Sequence, residues 1–195
     1  KYEKYPNVRF VKYKTKEYCK AIATVKYLVN NVSFPSYFLK REGQVLIDTW
    51  HGTPLKNMGF DIPGANISQG NTARNLFSAD YIVSSGPYMT ETAYKKSYKM
   101  QNLYEGTVLE EGFPRNDKLF NSDRAEVIQR LQDCGVEVTA DKKVILYAPT
   151  WRGEQYSTPD TDLQDVYKLL QVMESSVDTN EYQVLVKLHQ IVYHY

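Results

Sequence analysis

Six apolar runs of strand length recur along the chain, and most stop in a turn rich in glycine, proline or small polar residues: "YLVNNV", "QVLIDTW", "DYIVSSG", "TVLEEGF", "KVILYAPTW" and "YQVLVKLH". Short runs without strict alternation are the pattern of strands buried on both faces. Segments with helical spacing separate them. "SDRAEVIQRLQDCG" places Val127, Ile128, Leu131 and Cys134 on one face, with Asp123 and Glu126 as a start signal and Gly135 as a stop. In "TDLQDVYKLLQVMES" the set Leu163, Val166, Tyr167, Leu170 and Met173 has the same spacing behind a Thr161–Gln164 capping box. Further helices are expected from Pro87 and within "KEYCKAIATVK". Strands alternating with helices imply βαβ units around a mainly parallel sheet covered on both faces, an α/β fold. The polar stretch "FNSDRAE" reads as the junction of two lobes, 1–121 and 122–195. The second lobe stops just after an apparent strand, as expected of a fragment of a larger protein.

With 195 residues and 42% hydrophobic content, the chain can bury a core. Its two cysteines, Cys19 and Cys134, lie far apart and outside any C-x-x-C pattern. They suggest neither a disulfide framework nor a cysteine metal site, and a reducing cytoplasm is expected. No segment is apolar for long enough to span a bilayer, and "KYEKYPNVRF" lacks the apolar centre of a secretory signal, so export is not indicated. The net charge of +1 conceals an asymmetry: residues 1–60 carry 11 Lys/Arg against 4 Asp/Glu, and the remainder 13 against 19. The basic, tyrosine-rich opening suits an anionic membrane surface or a polyanionic substrate, and equally an ordinary solvated face with snorkelling lysines. Nucleic acid is disfavoured, because no zinc-finger, helix-turn-helix or RNP-like signature accompanies the charge.

Chemistry-bearing residues collect where the runs end, which is where ligands bind in open α/β sheets. "TWHGTPLK" follows "QVLID", "SSGP" follows "YIV", "GFPRND" follows "TVLEE", and "APTWRG" follows "KVILY". A glycine-rich turn leading into a helix lets backbone N–H groups approach phosphate, as "SSGP" would at Ser84 and Ser85, although Ser-Gly-Pro is also common turn chemistry. Arg115 offers a planar fork for phosphate or carboxylate. Asn116 and Asp117 could orient a hydroxyl, fix that arginine or cap the next segment. His51, between Trp50 and Gly52, is a candidate catalytic group, as is His189, which closely follows Lys187 at another strand end. His194, near the terminus, carries little weight. Two imidazoles from opposite lobes would suit a cleft enzyme, one taking a proton and the other supporting anionic charge. P-loop, dinucleotide-binding, zincin and nucleophile-elbow patterns are absent from the sequence.

Taken in order, "NNVSFPSYF", "TWHGTPLKNMG", "SADYIVSSG", "EGFPRND" and "YAPTWRG" resemble the CDP-glycerol glycerophosphotransferase family, which includes teichoic acid polymerases and related capsule enzymes. The resemblance runs from about Asn30 to His189. It implies a GT-B-like architecture in which two Rossmann-like lobes face each other across a cleft. Residues 1–121 would then be part of the acceptor-side lobe, and 122–195 the start of a truncated donor-side lobe.

The implied reaction transfers glycerol phosphate, or ribitol phosphate in some relatives, from the CDP-linked donor to the terminal hydroxyl of a membrane-linked polymer, releasing CMP. His51 would be the base and His189 its partner near the diphosphate. Gly52, Thr53, Lys56, Ser84, Ser85, Arg115, Asn116, Asp117, Thr150, Arg152 and Lys187 would bind substrate. Where the family usually has an arginine–histidine pair, this chain has "KLH", which supplies charge without a bidentate fork. A "TDYSS"-like donor-phosphate segment lies further downstream in the family, so the donor site is expected to be incomplete here. No tightly bound cofactor or protein metal site is expected; a divalent ion travelling with the donor stays open. The implied location is peripheral, on the cytoplasmic face of the membrane. The alternatives are a GT-B enzyme acting on a nucleotide sugar and a non-catalytic module binding anionic lipid or polymer.

Overall fold

The computed structural model describes residues 5–64, 67–150 and 163–190. The chain divides into two compact units, Lys1–Phe120 and Asn121–Tyr195. The first carries α1 (Lys16–Thr24), β1 (Tyr27–Asn30), β2 (Val45–Asp48), α2 (Gly70–Ser78), β3 (Tyr81–Val83) and a π-helix (Met89–Ser97). β4 (Thr107–Leu109) follows, and α3 (Asp117–Asn121) runs across the boundary between the units. The second unit holds α4 (Arg124–Asp133), β5 (Lys143–Tyr147), α5 (Leu163–Ser176) and β6 (Tyr182–Val186). All six expected strands form and pair in parallel: β1-β2-β3-β4 in one sheet and β5-β6 in the other.

The sequence pattern leads one to expect sheets covered on both faces, and among the described residues the edge strand β1 departs from this. In the first unit Leu28, Leu46 and Ile82 share one face and join a single core with Ile22 of α1, Ala73 and Leu76 of α2, and Met89, Ala93 and Tyr94 of the π-helix. On the opposite face Tyr27 and Val29 of β1 are 62% and 65% exposed, while Val45 and Ile47 of β2 are half-buried and Val83 of β3 is buried. The strand order β1-β2-β3-β4 fits this. Right-handed crossovers that all step in one direction put their connecting segments on one side of the sheet. Burial of Leu46, Leu76, Ile82 and Met89 contributes about 1.5–3 kcal/mol for each side chain. In the second unit β5 also has an open side, where Val144 and Leu146 are exposed.

Helix ends follow local chemistry. Thr15 caps α1 by accepting the Tyr18 N–H, and Asp123 caps α4 through the N–H groups of Ala125 and Glu126. Tyr167 of α5 is exposed, and the covered stripe runs through Val166, Leu170, Met173 and Val177. Thr161 and the side chain of Leu163 lie outside the described residues. A helix does start at Pro87, but it widens into the π-helix, with Tyr98 N–H donating to the carbonyl of Ala93. Helix α2 has little sequence signal, being rich in glycine and asparagine. Tertiary bonds hold it: Asn75 accepts the Phe34 N–H at 2.9 Å, and the Arg74 guanidinium donates to the carbonyls of Pro35 and Phe38.

Candidate functional site

The carboxyl ends of β2, β3 and β4 bring one group of the expected residues together. At β2 the chain leaves the sheet through Trp50, a left-handed non-glycine residue with φ of 49°. Its ring is buried edge-on against Tyr94 and Tyr98. The His51 imidazole stacks on the Trp50 ring at 4.5 Å between centroids, and His51 itself is exposed. Its Nδ1 lies 2.9 Å from the carbonyl oxygen of Asn31. A carbonyl can only accept, so Nδ1 carries the hydrogen and, in the neutral ring, Nε2 keeps its lone pair.

Asp48 sits beneath this turn, 2% exposed, and accepts the Trp50 N–H at 2.8 Å. Burial pushes its carboxyl up to about 6, and the Trp50 hydrogen bond only partly opposes that. The same burial, with the Asp48 charge as a smaller cause, raises the Tyr98 phenol to about 12.

Thr53 Oγ1 lies 2.7 Å from Ser85 Oγ, joining the turn after β2 to the turn after β3. Both residues are exposed. The Ser84 side chain has a different place. Fully buried, its hydroxyl donates to the Gly86 carbonyl and accepts from the Gly86 N–H and the Thr90 hydroxyl, so it shapes the turn and is occupied there.

After β4, Pro114–Asn116 forms a 3-10 turn that leads into α3 at Asp117, with Arg115, Asn116 and Asp117 exposed. Arg115 reaches back to the first turn: a β-carbon on Gly52 would stand 3.8 Å from Arg115 Nη2. Lys56 is exposed on the same loop as Thr53.

The second unit has its own strand-end group. The Lys187 N–H donates to the Tyr147 carbonyl at 2.9 Å, extending the β5–β6 ladder by one residue. Its side chain is exposed, His189 is half-buried, and Thr150 is exposed beyond β5. Arg152 and His194 lie outside the described residues. Among the described residues no three His, Cys, Asp or Glu side chains gather as a metal site, and no helix is long and apolar enough to cross a membrane. Among Asn31 and Trp50, which touch His51, and Asp48, which accepts the Trp50 N–H, one had a legible signal: the carboxylate closing the apolar run "QVLID".

Over residues 3–195 the chain matches the family described as CDP-Glycerol:Poly(glycerophosphate) glycerophosphotransferase. It is similar to the teichoic acid poly(glycerol phosphate) polymerase of Bacillus subtilis (strain 168), 34% identical over 88% of this chain and 23% of the relative. With the Staphylococcus epidermidis polymerase of the same description it shares 32% identity over 93% of this chain and 26% of the relative. The teichoic acid glycerol-phosphate transferase of Staphylococcus aureus is 29% identical over 95% of this chain and 48% of its own length. The chain therefore spans about a quarter of the two polymerases and about half of the transferase.

Among solved structures, the wall teichoic acid polymerase TagF aligns with a TM-score of 0.68 at 30% identity, covering 99% of this chain and 51% of that one. A histidine variant of TagF soaked with CDPG aligns with the same TM-score at 32% identity, over 94% and 44%. The expected α/β, GT-B-like class holds on this match. With the family match running over nearly its whole length, the chain belongs to the CDP-glycerol:poly(glycerophosphate) glycerophosphotransferase family.

Proposed function

We propose that this chain supplies the acceptor side and part of the donor side of an enzyme that transfers glycerol phosphate from CDP-glycerol to the terminal hydroxyl of a membrane-linked poly(glycerol phosphate), releasing CMP. Family membership supports the reaction class. The observation that carries the residue roles is the tethered imidazole of His51, whose Nδ1–H is committed to the Asn31 carbonyl and whose Nε2 is the ring's remaining acceptor.

In this reading the acceptor hydroxyl gives its proton to His51 Nε2 as its oxygen bonds to the glycerol-bearing phosphorus. The phosphorus–oxygen bond to CMP breaks, and CMP leaves with the electron pair. Such general-base assistance is typically worth about 10² to 10⁴ in rate. The remaining work is alignment and charge screening. Arg115 and Lys56 supply positive charge, and Thr53 and Ser85 supply hydroxyls beside it. Gly52 lends its backbone to the phosphate beside Arg115, and Asn116 and Asp117 orient the acceptor alcohol. In the second unit Lys187, His189, Thr150 and Arg152 take the donor diphosphate.

The acceptor is lipid-linked, which suits a peripheral position on the cytoplasmic face of the membrane. Support comes from the basic opening segment, where Lys14 and Lys26 lie over the rings of Tyr13 and Tyr27 and both tyrosines are exposed. CMP release from CDP-glycerol by the full polypeptide, with a glycerol phosphate oligomer as acceptor, tests the function. Release of UDP from UDP-sugars in its place would select the nucleotide-sugar reading. Binding to anionic vesicles without turnover of either donor would select a non-catalytic module.

A further inference from the structure

β1 and β2 end side by side, with Asn30 and Asp48 as register partners, and each carries a side chain that folds back onto the backbone just beyond it. Asn30 Oδ1 accepts the N–H groups of Asn31 at 2.9 Å and Val32 at 3.3 Å. Asp48 Oδ1 accepts the Trp50 N–H at 2.8 Å. These are Asx turns, which fix a short stretch of chain without a regular element. The two are also linked, because the Asn30 carbonyl accepts the Thr49 N–H at 2.8 Å.

The two stretches fixed in this way are the ones that hold the imidazole of His51. The Asn30 turn sets the Asn31 peptide, whose carbonyl takes the Nδ1–H. The Asp48 turn sets Trp50, whose ring lies against the imidazole face. One contact governs the direction in the ring plane, and the other governs the plane itself.

We propose that Asn30 and Asp48 act together as positioning residues that aim His51 Nε2 at the acceptor hydroxyl. Neither touches substrate in this scheme, which rests on His51 being the base. What each supplies is an acceptor oxygen at a set place, so Asn and Asp are interchangeable at both positions and alanine is not.

The test compares Asn30→Ala and Asp48→Ala with Asn30→Asp and Asp48→Asn in the full polypeptide. Turnover with CDP-glycerol is read alongside the nitrogen-15 shifts of the His51 ring, assigned by their loss in His51→Gln. Each alanine variant is expected to lose about 10- to 100-fold in kcat with KM changed less than about threefold, because a misaimed group costs the transition state more than binding. It should also lose the excess of the Nδ1–H tautomer. The conservative variants should keep that tautomer and stay within about threefold of the parent kcat, which guards against an alanine variant that fails to fold.

An unchanged tautomer in folded alanine variants, or conservative variants as impaired as the alanines, would overturn the proposal. If the tautomer shifts as expected while turnover is unchanged, the aiming of the ring stands and the base role of His51 falls. The two failures are therefore separable.

Discussion

The hydroxyls of Thr53 and Ser85 lie 2.7 Å apart and join the turns that follow β2 and β3. Both side chains are exposed, so the bond links the two loops without help from the core. Thr53→Val and Ser85→Ala are each expected to lower kcat/KM by about 3- to 10-fold, the range of one ordinary hydrogen bond. The double variant should lose less than the product of the two, as a double-mutant cycle on CMP release will show.

His51→Ala in the full polypeptide should reduce kcat by about 10² to 10⁴ while changing CDP-glycerol affinity less than about twofold. Calorimetric titration with CDP-glycerol beside the turnover assay checks this. Turnover at the parent rate would remove His51 as the base.

Arg115 stands close to Gly52, and its planar fork is the feature a lysine lacks. Arg115→Lys should therefore recover only part of what Arg115→Ala loses. The expected effect of the lysine variant is a rise in KM of about 10-fold, matching 1–2 kcal/mol of a charge-assisted pair. Steady-state kinetics of the two variants decides it.

Asp48 gives a pH dependence of known sign. Its carboxyl titrates near 6 in the folded chain, above the usual carboxylate range of an unfolded one. Between about pH 4 and 6 the folded state holds a proton that the unfolded state has released. Its contribution to stability is thus present below that window and is lost as pH rises through it, by of order 3 kcal/mol. Asp48→Asn should flatten this part of the stability profile, measured by urea denaturation at pH 4, 5, 6 and 7. An unchanged slope would contradict the assignment.

Gly59 is irreplaceable for a steric reason. It has φ of 55°, and a β-carbon there would lie 2.7 Å from the carbonyl oxygen of Ser97 in the π-helix. Gly59→Ala should destabilise the first unit by about 2–4 kcal/mol, against less than about 0.5 kcal/mol for Gly52→Ala, whose added carbon finds ordinary contact distance. Thermal unfolding of both variants tests the contrast.

Much of this was readable before any coordinates. The strands were visible because a buried parallel strand must be apolar along its length, and the strand-end residues stood out because they break those runs. Three kinds of feature were not visible. Helix α2 is held by Arg74 and Asn75 bonding to residues forty positions or so earlier, and local propensity does not encode such bonds. A serine beside a glycine serves a turn and a phosphate-binding backbone equally well in sequence, and only the fold shows the Ser84 N–H donating to the Leu109 carbonyl at 2.8 Å and its hydroxyl held by Gly86 and Thr90. The left-handed Trp50 was hidden because nothing in the sequence marks a bulky residue forced into that conformation by the packing around it.

The edge strand β1 also bears on how this chain behaves in solution. Among the described residues Tyr27 and Val29 form a greasy strip along the edge strand β1, the kind of surface on which molecules in concentrated solution stick to one another. Threonine at both places would keep the extended backbone and remove the adhesive. Because these side chains point away from the core, the swap lowers self-association along that strip and leaves the packing of Leu28, Leu46 and Ile82 in place.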